Sequence, residues 1–154
     1  MITGPFHAGL VVADLRQTMD DLSAAFGLGW SSLRESDTAV WTPTGRVDLT
    51  FRGGFSTPGP TRLELIEAIP GTLWDGPSPT NLHHVSFWSS DLVADSQSLV
   101  EKGFPLVATT WVDGEEGTPR LFAYHRKGSG PYMELLDENE RSHYEEWWEE
   151  QTSG

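Results

Sequence analysis

Two hydrophobic periods alternate along this chain, and their order of alternation repeats once. Phe6 to Val12 (FHAGLVV) is apolar and β-prone, which predicts a strand. Asp14 then stands at an N-cap position. Leu15, Met19, Leu22 and Phe26 recur at helical spacing until Gly27 and Gly29 close the helix. Trp30 to Leu33, Thr38 to Thr42 and Arg46 to Arg52 predict short strands, and the alternating run Arg62 to Ile69 predicts another. Pro70 to Asn81 (PGTLWDGPSPTN) is dense in Pro and Gly and predicts a linker. The pattern then restarts. Leu82 to Trp88 predicts a strand. Asp91 caps a helix with Leu92, Leu99 and Val100 on its apolar side, ending at Gly103. Strands follow at about Leu106 to Val112, Arg120 to Arg126 and Tyr132 to Asp137, and a last helix spans about Glu138 to Glu150.

With the short run Trp30 to Leu33 counted as an extra, the order is β-α-β-β-β, linker, β-α-β-β-β, helix, which implies an internal duplication. His7-Ala-Gly-Leu-Val-Val-Ala-Asp14-Leu15 parallels His84-Val-Ser-Phe-Trp-Ser-Ser-Asp91-Leu92, and Leu63-Glu64-Leu65 parallels Met133-Glu134-Leu135. The fold class expected is α+β: two βαβββ modules forming a curved mixed sheet with a metal-binding cleft, plus a C-terminal helix. The domain expected is a single one over 1–154, with module 1 at about 5–69, the linker at 70–81, module 2 at about 82–137 and the helix at about 138–150. The competing arrangement is a ferredoxin-like pair of separate sheets. The sequence leaves open whether the modules pair within one chain or swap between the chains of a homodimer.

Side chains on a strand alternate between faces, so His7 shares a face with Gly9 and Val11, and His84 with Ser86 and Trp88. Glu64 and Glu134 each stand between two apolar neighbours, as suits a strand whose other face is buried. Paired into a curved sheet, the repeats bring two imidazoles and two carboxylates together from its concave face. That donor set suits one divalent ion of the Zn, Ni, Co, Mn or Fe(II) kind. An octahedral ion with four protein ligands keeps two positions for water or substrate. It acts as a Lewis acid on a carbonyl or enolate oxygen. A carboxylate that loosens from it serves as general base.

Composition narrows the function further. A net charge of -13 repels a phosphate backbone and argues against nucleic-acid binding. The absence of Cys removes thiolate nucleophiles, thiolate ligands and disulfides. No apolar run approaches the roughly 20 residues of a membrane span, and the first residues carry no basic and apolar leader, so no membrane and a cytoplasmic location are expected. Acidic residues crowd the C-terminus from Asp137 to Glu150, which reads as a solvated acidic helix. Of Trp30, Trp41, Trp74, Trp88 and Trp111, most are expected in the core or at a rim, with a flat ligand as the alternative use.

The strings HAGLVVADL, RLELIEA, LHHVSFWSSDL and YMELLDE resemble those of the vicinal oxygen chelate (glyoxalase, bleomycin-resistance, dioxygenase) superfamily over about Phe6 to Asp137. The nearest branch is the glyoxalase-I and methylmalonyl-CoA-epimerase-like one, which the pair His83-His84 after the Pro/Gly-rich linker resembles in particular. The resemblance implies metal ligands on the first, fourth, fifth and eighth strands, here His7, Glu64, His84 and Glu134. It implies chemistry from isomerisation, epimerisation and lyase reactions to dioxygenation, with some members only binding drugs. The function expected is a divalent-metal-dependent isomerase, epimerase or lyase of the glyoxalase kind, which moves a proton next to a carbonyl of a small molecule. Glu64 and Glu134 are the catalytic pair. A non-catalytic drug- or natural-product-binding protein is the alternative, followed by an extradiol-type dioxygenase, which Glu64 as a fourth ligand disfavours. Arg62 and Tyr132, two residues before the carboxylates, and Trp88, on the face of His84, are candidate substrate contacts. Alternation points His83 to the other face from His84 and sets it aside. His125 and His143 are expected to be structural or exposed.

Overall fold

The computed structural model describes residues 1–76 and 82–150, so the last five positions of the expected linker lie outside the described residues. In chain order the elements are β1 (Ile2–Val12), α1 (Leu15–Phe26), β2 (Gly29–Trp30), β3 (Arg34–Thr42), β4 (Gly45–Thr57), β5 (Arg62–Glu67), β6 (Leu82–Ser89), α2 (Leu92–Glu101), β7 (Leu106–Thr110), β8 (Phe122–His125), β9 (Tyr132–Asp137), a 3-10 turn (Glu138–Glu140) and α3 (Arg141–Glu149).

The helix boundaries follow their caps. The Asp14 carboxylate accepts from Gln17 N–H at 2.9 Å, and Gly27 ends α1 in the left-handed region with φ 69°. Asp91 repeats the first device on Ala94 N–H at 3.1 Å. Leu15 and Met19 of α1 bury themselves with Val12, Trp30 and Leu65. Phe26, the last helical residue, is 73% exposed, so the apolar stripe that holds α1 to the sheet ends short of it. Leu92 of α2 packs with Ala123 and Leu135 in the equivalent place.

All nine strands form one sheet, ordered β2-β4-β3-β7-β8-β9-β6-β1-β5, and β4 also pairs with β5. That last pairing closes the sheet into a barrel-like ring. The duplication is visible in it: β3-β4-β5-β1 from the first half matches β7-β8-β9-β6 from the second. The halves meet at two antiparallel seams, β1 with β6 and β3 with β7. In this single chain the two halves pair with each other, and the separate sheets of a ferredoxin-like arrangement are not formed. Each half also joins its first and last strands in parallel, β1 with β5 and β6 with β9. The two-residue β2 is an extra against β4 that the second half lacks among the described residues. No helix among these residues is long and apolar enough to cross a membrane.

The expected linker is not a plain spacer. Trp74 is 2% exposed and belongs to the core cluster of Val11, Val40, Ile66, Ala108 and Tyr124. Its ring meets Phe51 edge-on at 4.7 Å.

Candidate metal centre

Strands β5, β1, β6 and β9 are neighbours in the sheet, and each contributes one of Glu64, His7, His84 and Glu134. On a flat sheet, strands about 4.8 Å apart would spread the outermost backbones by about 14 Å. The closed ring removes that spread. The register then makes a checkerboard: Gly9 lies beside both Glu64 and His84, and Ser86 beside both His7 and Glu134.

The four side chains converge. Nε2 of His7 and Nε2 of His84 stand 2.9 Å apart. Glu64 Oε2 lies 3.4 Å from the first and 3.1 Å from the second. Glu134 Oε2 lies 3.4 Å from each. The donor atoms of His7, His84 and Glu134 all fall within 4.8 Å of one another, a group that could hold a metal ion. Around a divalent ion with bonds of about 2.1 Å, donors at right angles sit about 3 Å apart. The observed separations match that spacing, so the residues present fit such an ion.

Electrostatics point the same way. Burial works against a charge on His7, yet Glu64 and Glu134 raise its pKa from 6.5 to about 9. Burial alone would raise the pKa of Glu64, and His7 and His84 bring it well below the carboxylate range. Glu134 is likewise lowered, by His84 and His7 against burial. Two buried carboxylates demand positive charge, and a proton on His7 supplies it where no metal ion does.

Three features around the four side chains escape sequence reading. The Ser86 hydroxyl donates to Glu134 Oε2 at 2.6 Å. At Gly9, a Cβ would sit 1.9 Å from His84 Cε1, so the imidazole occupies the space that a side chain needs. His83 does reach His84: the two Nδ1 atoms are 3.0 Å apart, and His83 Nε2 lies 2.8 Å from the Leu73 carbonyl oxygen. Alternation fails here because Gly9 pairs with His84 while Leu10 pairs with Leu82, leaving His83 as the extra residue of a β-bulge. Burial and His84 together push its pKa down to about 4.

A family model described as Glyoxalase/Bleomycin resistance protein/Dioxygenase superfamily matches residues 6–124. The chain belongs to this superfamily. Several solved structures share the fold. A variant of Streptomyces coelicolor methylmalonyl-CoA epimerase in complex with 2-nitronate-propionyl-CoA has a TM-score of 0.62 at 18% identity, over 89% of this chain and 98% of that one. Methylmalonyl-CoA epimerase from Mycobacterium tuberculosis gives 0.57 at 16% identity, over 88% of each chain. A mutant 4-hydroxymandelate synthase from Streptomyces coelicolor gives 0.57 at 18%, over 86% of this chain and 47% of that one. At these identities the likeness is one of fold. No curated protein sequence matches the chain.

The glyoxalase-superfamily match takes in His7, Glu64 and His84 and stops short of Glu134 and α3. Both nevertheless help to form a cavity of about 390 Å³ beside the four side chains. Its wall includes Phe51, Phe122 and Tyr124 from the ring, Trp74 from the segment between the halves, and Tyr144 and Trp147 from α3. Burial, then the Glu134 and Glu64 carboxylates, raise the pKa of Tyr124 and of Tyr144 well above 10, so both phenols stay protonated. The acidic C-terminal helix, expected to be solvated, is in fact pinned down along one side. Trp147 Nε1 donates to the Ser32 carbonyl at 2.8 Å, and Arg34 pairs with Glu150 at 2.7 Å. Trp147 and Trp148 also meet the Phe55 ring, at 4.9 and 5.9 Å.

The three candidate substrate contacts sit elsewhere than on this wall. Arg62 donates to the Ser56 carbonyl at 2.8 Å and lies over Trp148. Trp88 stacks on Phe6 at 4.1 Å. Tyr132 packs on His83 at 4.8 Å. Of the five tryptophans weighed for a flat ligand, Trp74 alone lines the cavity. His143, expected to be structural or exposed, lines it too. His125 is buried and tied to Ser96 Oγ at 3.0 Å and to the Phe104 carbonyl at 2.9 Å, a structural link between α2 and the sheet.

Proposed function

We propose that this chain is a divalent-metal-dependent enzyme that transfers a proton next to a carbonyl of a compact small-molecule substrate, as an isomerase, epimerase or lyase. The carrying observation is the convergence of two imidazole nitrogens and two carboxylate oxygens at separations of 2.9 to 3.4 Å beside a cavity. His7, Glu64, His84 and Glu134 would hold one Zn, Ni, Co, Mn or Fe(II) ion. Bound there, the ion supplies Lewis acidity toward a carbonyl oxygen.

The chain's own groups divide the rest. Glu134 is fixed by the Ser86 hydroxyl. Glu64 faces Gly9 at the corresponding position and receives no such bond among the described residues. We therefore assign removal of the proton to Glu64 and anchoring to Glu134. The neutral phenols of Tyr124 and Tyr144 are placed to donate to developing negative charge on the substrate. Phe122, Tyr144 and Trp147 provide its apolar seat; behind it Trp88 packs on Tyr144, Arg62 on Trp148 and Tyr132 on His83 and Tyr124. Arg34 and Arg52 on the wall are already paired, with Glu150 and Glu67. That supports a substrate of modest charge over one that needs free arginines for phosphates.

The test combines elemental analysis with proton exchange. Protein purified without chelator should carry a metal ion. In deuterated water it should exchange the α-proton of some member of a panel of CoA thioesters, hemithioacetals and aromatic ketones, followed by NMR. Exchange should vanish in Glu64→Gln, whereas in Glu134→Gln it should fall with metal affinity and return in part at saturating metal. Tight binding by metal-free protein with no exchange on any compound would leave the non-catalytic binding reading, which the aromatic wall also suits.

A further inference from the structure

His83 does not reach the cavity, yet its ring determines what His84 can offer. The Leu73 carbonyl only accepts hydrogen bonds, so the 2.8 Å contact places a proton on His83 Nε2. A neutral imidazole carries one N–H, so His83 Nδ1 presents a lone pair. The 3.0 Å contact between the two Nδ1 atoms then requires His84 to be the donor. In its neutral form His84 then keeps its proton on Nδ1 and turns a bare Nε2 lone pair toward His7 Nε2 and the two carboxylates. The relay starts at a backbone carbonyl in the segment between the halves and ends at a candidate ligand atom. Its middle member is held by packing, against Trp74 at 5.8 Å and Tyr132 at 4.8 Å.

We propose that His83 is a positioning residue for the metal, fixing His84 in the Nδ1–H tautomer so that its Nε2 is ready to ligate. The inference rests on the metal-binding reading above. Partners of this kind, one shell out from a metal, are worth about 10- to 100-fold in metal affinity. The bulge that inserts His83 beside His84 is what gives this relay its geometry.

Two measurements test it on the full chain. In metal-free wild-type protein, long-range proton–nitrogen correlation spectra of the imidazoles report the tautomer. At a pH where His84 is neutral, protonation on Nδ1 is expected, and protonation on Nε2 overturns the proposal without any variant. Cobalt and zinc titrations then compare wild type with His83→Phe, which keeps a ring and loses both nitrogens, and with His83→Asn, whose amide oxygen can accept from His84. Affinity should fall about 10- to 100-fold in His83→Phe and recover to within about 3-fold in His83→Asn. Equal weakening in both variants, in step with lost thermal stability of the metal-free forms, would make His83 merely structural. Tight binding by wild type and His83→Phe alike overturns this proposal and spares the metal reading. No binding by wild type removes both.

Discussion

The two halves of the ring place the same kinds of residue at the same strand positions, yet they support them differently. In the second half His84 Nδ1 is engaged by His83, and Glu134 is held by the Ser86 hydroxyl. In the first half His7 Nδ1 is buried with no hydrogen-bond partner among the described residues, and the position equivalent to Ser86 is Gly9. That glycine is where the halves interlock, because the His84 ring lies over it. The duplicated frame thus yields one braced pair of side chains and one looser pair. A looser carboxylate is what a proton-transfer step uses, and a braced one is what holds an ion in place. Duplication sets where the four groups stand, and under the proposed function divergence at single neighbouring positions separates their tasks.

The severest test of this contrast is Gly9→Ala. A methyl group has no room beneath a fully buried imidazole, so His84 must move. Overpacking of this kind costs about 1–3 kcal/mol. Metal binding should be lost altogether, as seen by equilibrium dialysis beside thermal unfolding. An Ala variant that still binds metal tightly would show that the halves do not interlock there. Ser86→Ala should be milder. It removes one hydrogen bond to a buried carboxylate, about 2 kcal/mol in unfolding experiments, and makes Glu134 as loose as Glu64. If exchange then depends equally on both glutamates, Ser86 is what separated them. If the loss from Glu64→Gln remains dominant, the separation has another origin.

The pH dependence probes the looser half. The His7 pKa rises from 6.5 in the unfolded chain to about 9 in the folded one. Its stabilising contribution to metal-free protein is therefore full below pH 6.5 and lost as pH climbs through about 9. Glu64 and Glu134 lie below their unfolded value of 4.5, so their contribution is present above that pH and lost as acid protonates them. Metal-free protein should melt highest between these limits and decline toward pH 9. Metal-loaded protein should not decline, because the ion replaces the His7 proton, and that proton should appear in the buffer on loading. The smallest effect expected is that of Arg34→Met. It breaks a half-exposed pair with Glu150, worth at most about 1 kcal/mol. Its readout is substrate KM, since Trp147 beneath that arginine lines the cavity. An unchanged KM would separate the α3 anchor from the site.

Much of this was legible in the chain. Asp14 and Asp91 announced α1 and α2, because a cap is a bond to a residue three positions on. His7 and His84, with Glu64 and Glu134, stood out because duplication repeats both residue type and strand position. His83 departs from alternation for a local reason: a bulge breaks the two-residue period of β6. The use made of Trp147 was invisible for a distant one, since its partner, the Ser32 carbonyl, lies more than a hundred residues away in the chain.

The sequence by itself determined the elements, their duplicated order and the four chemically matched side chains facing one way. These follow from periodicity and capping, which act over a few residues. Tertiary structure alone decided that β4 meets β5 and closes the ring, so that groups from four adjacent strands share a space about 3 Å across. It also decided that Trp74 and His83 turn inward and that an acidic helix supplies two aromatic rings to the cavity wall. Those outcomes depend on curvature and on contacts between distant segments, and no local pattern of hydrophobic and polar residues encodes them.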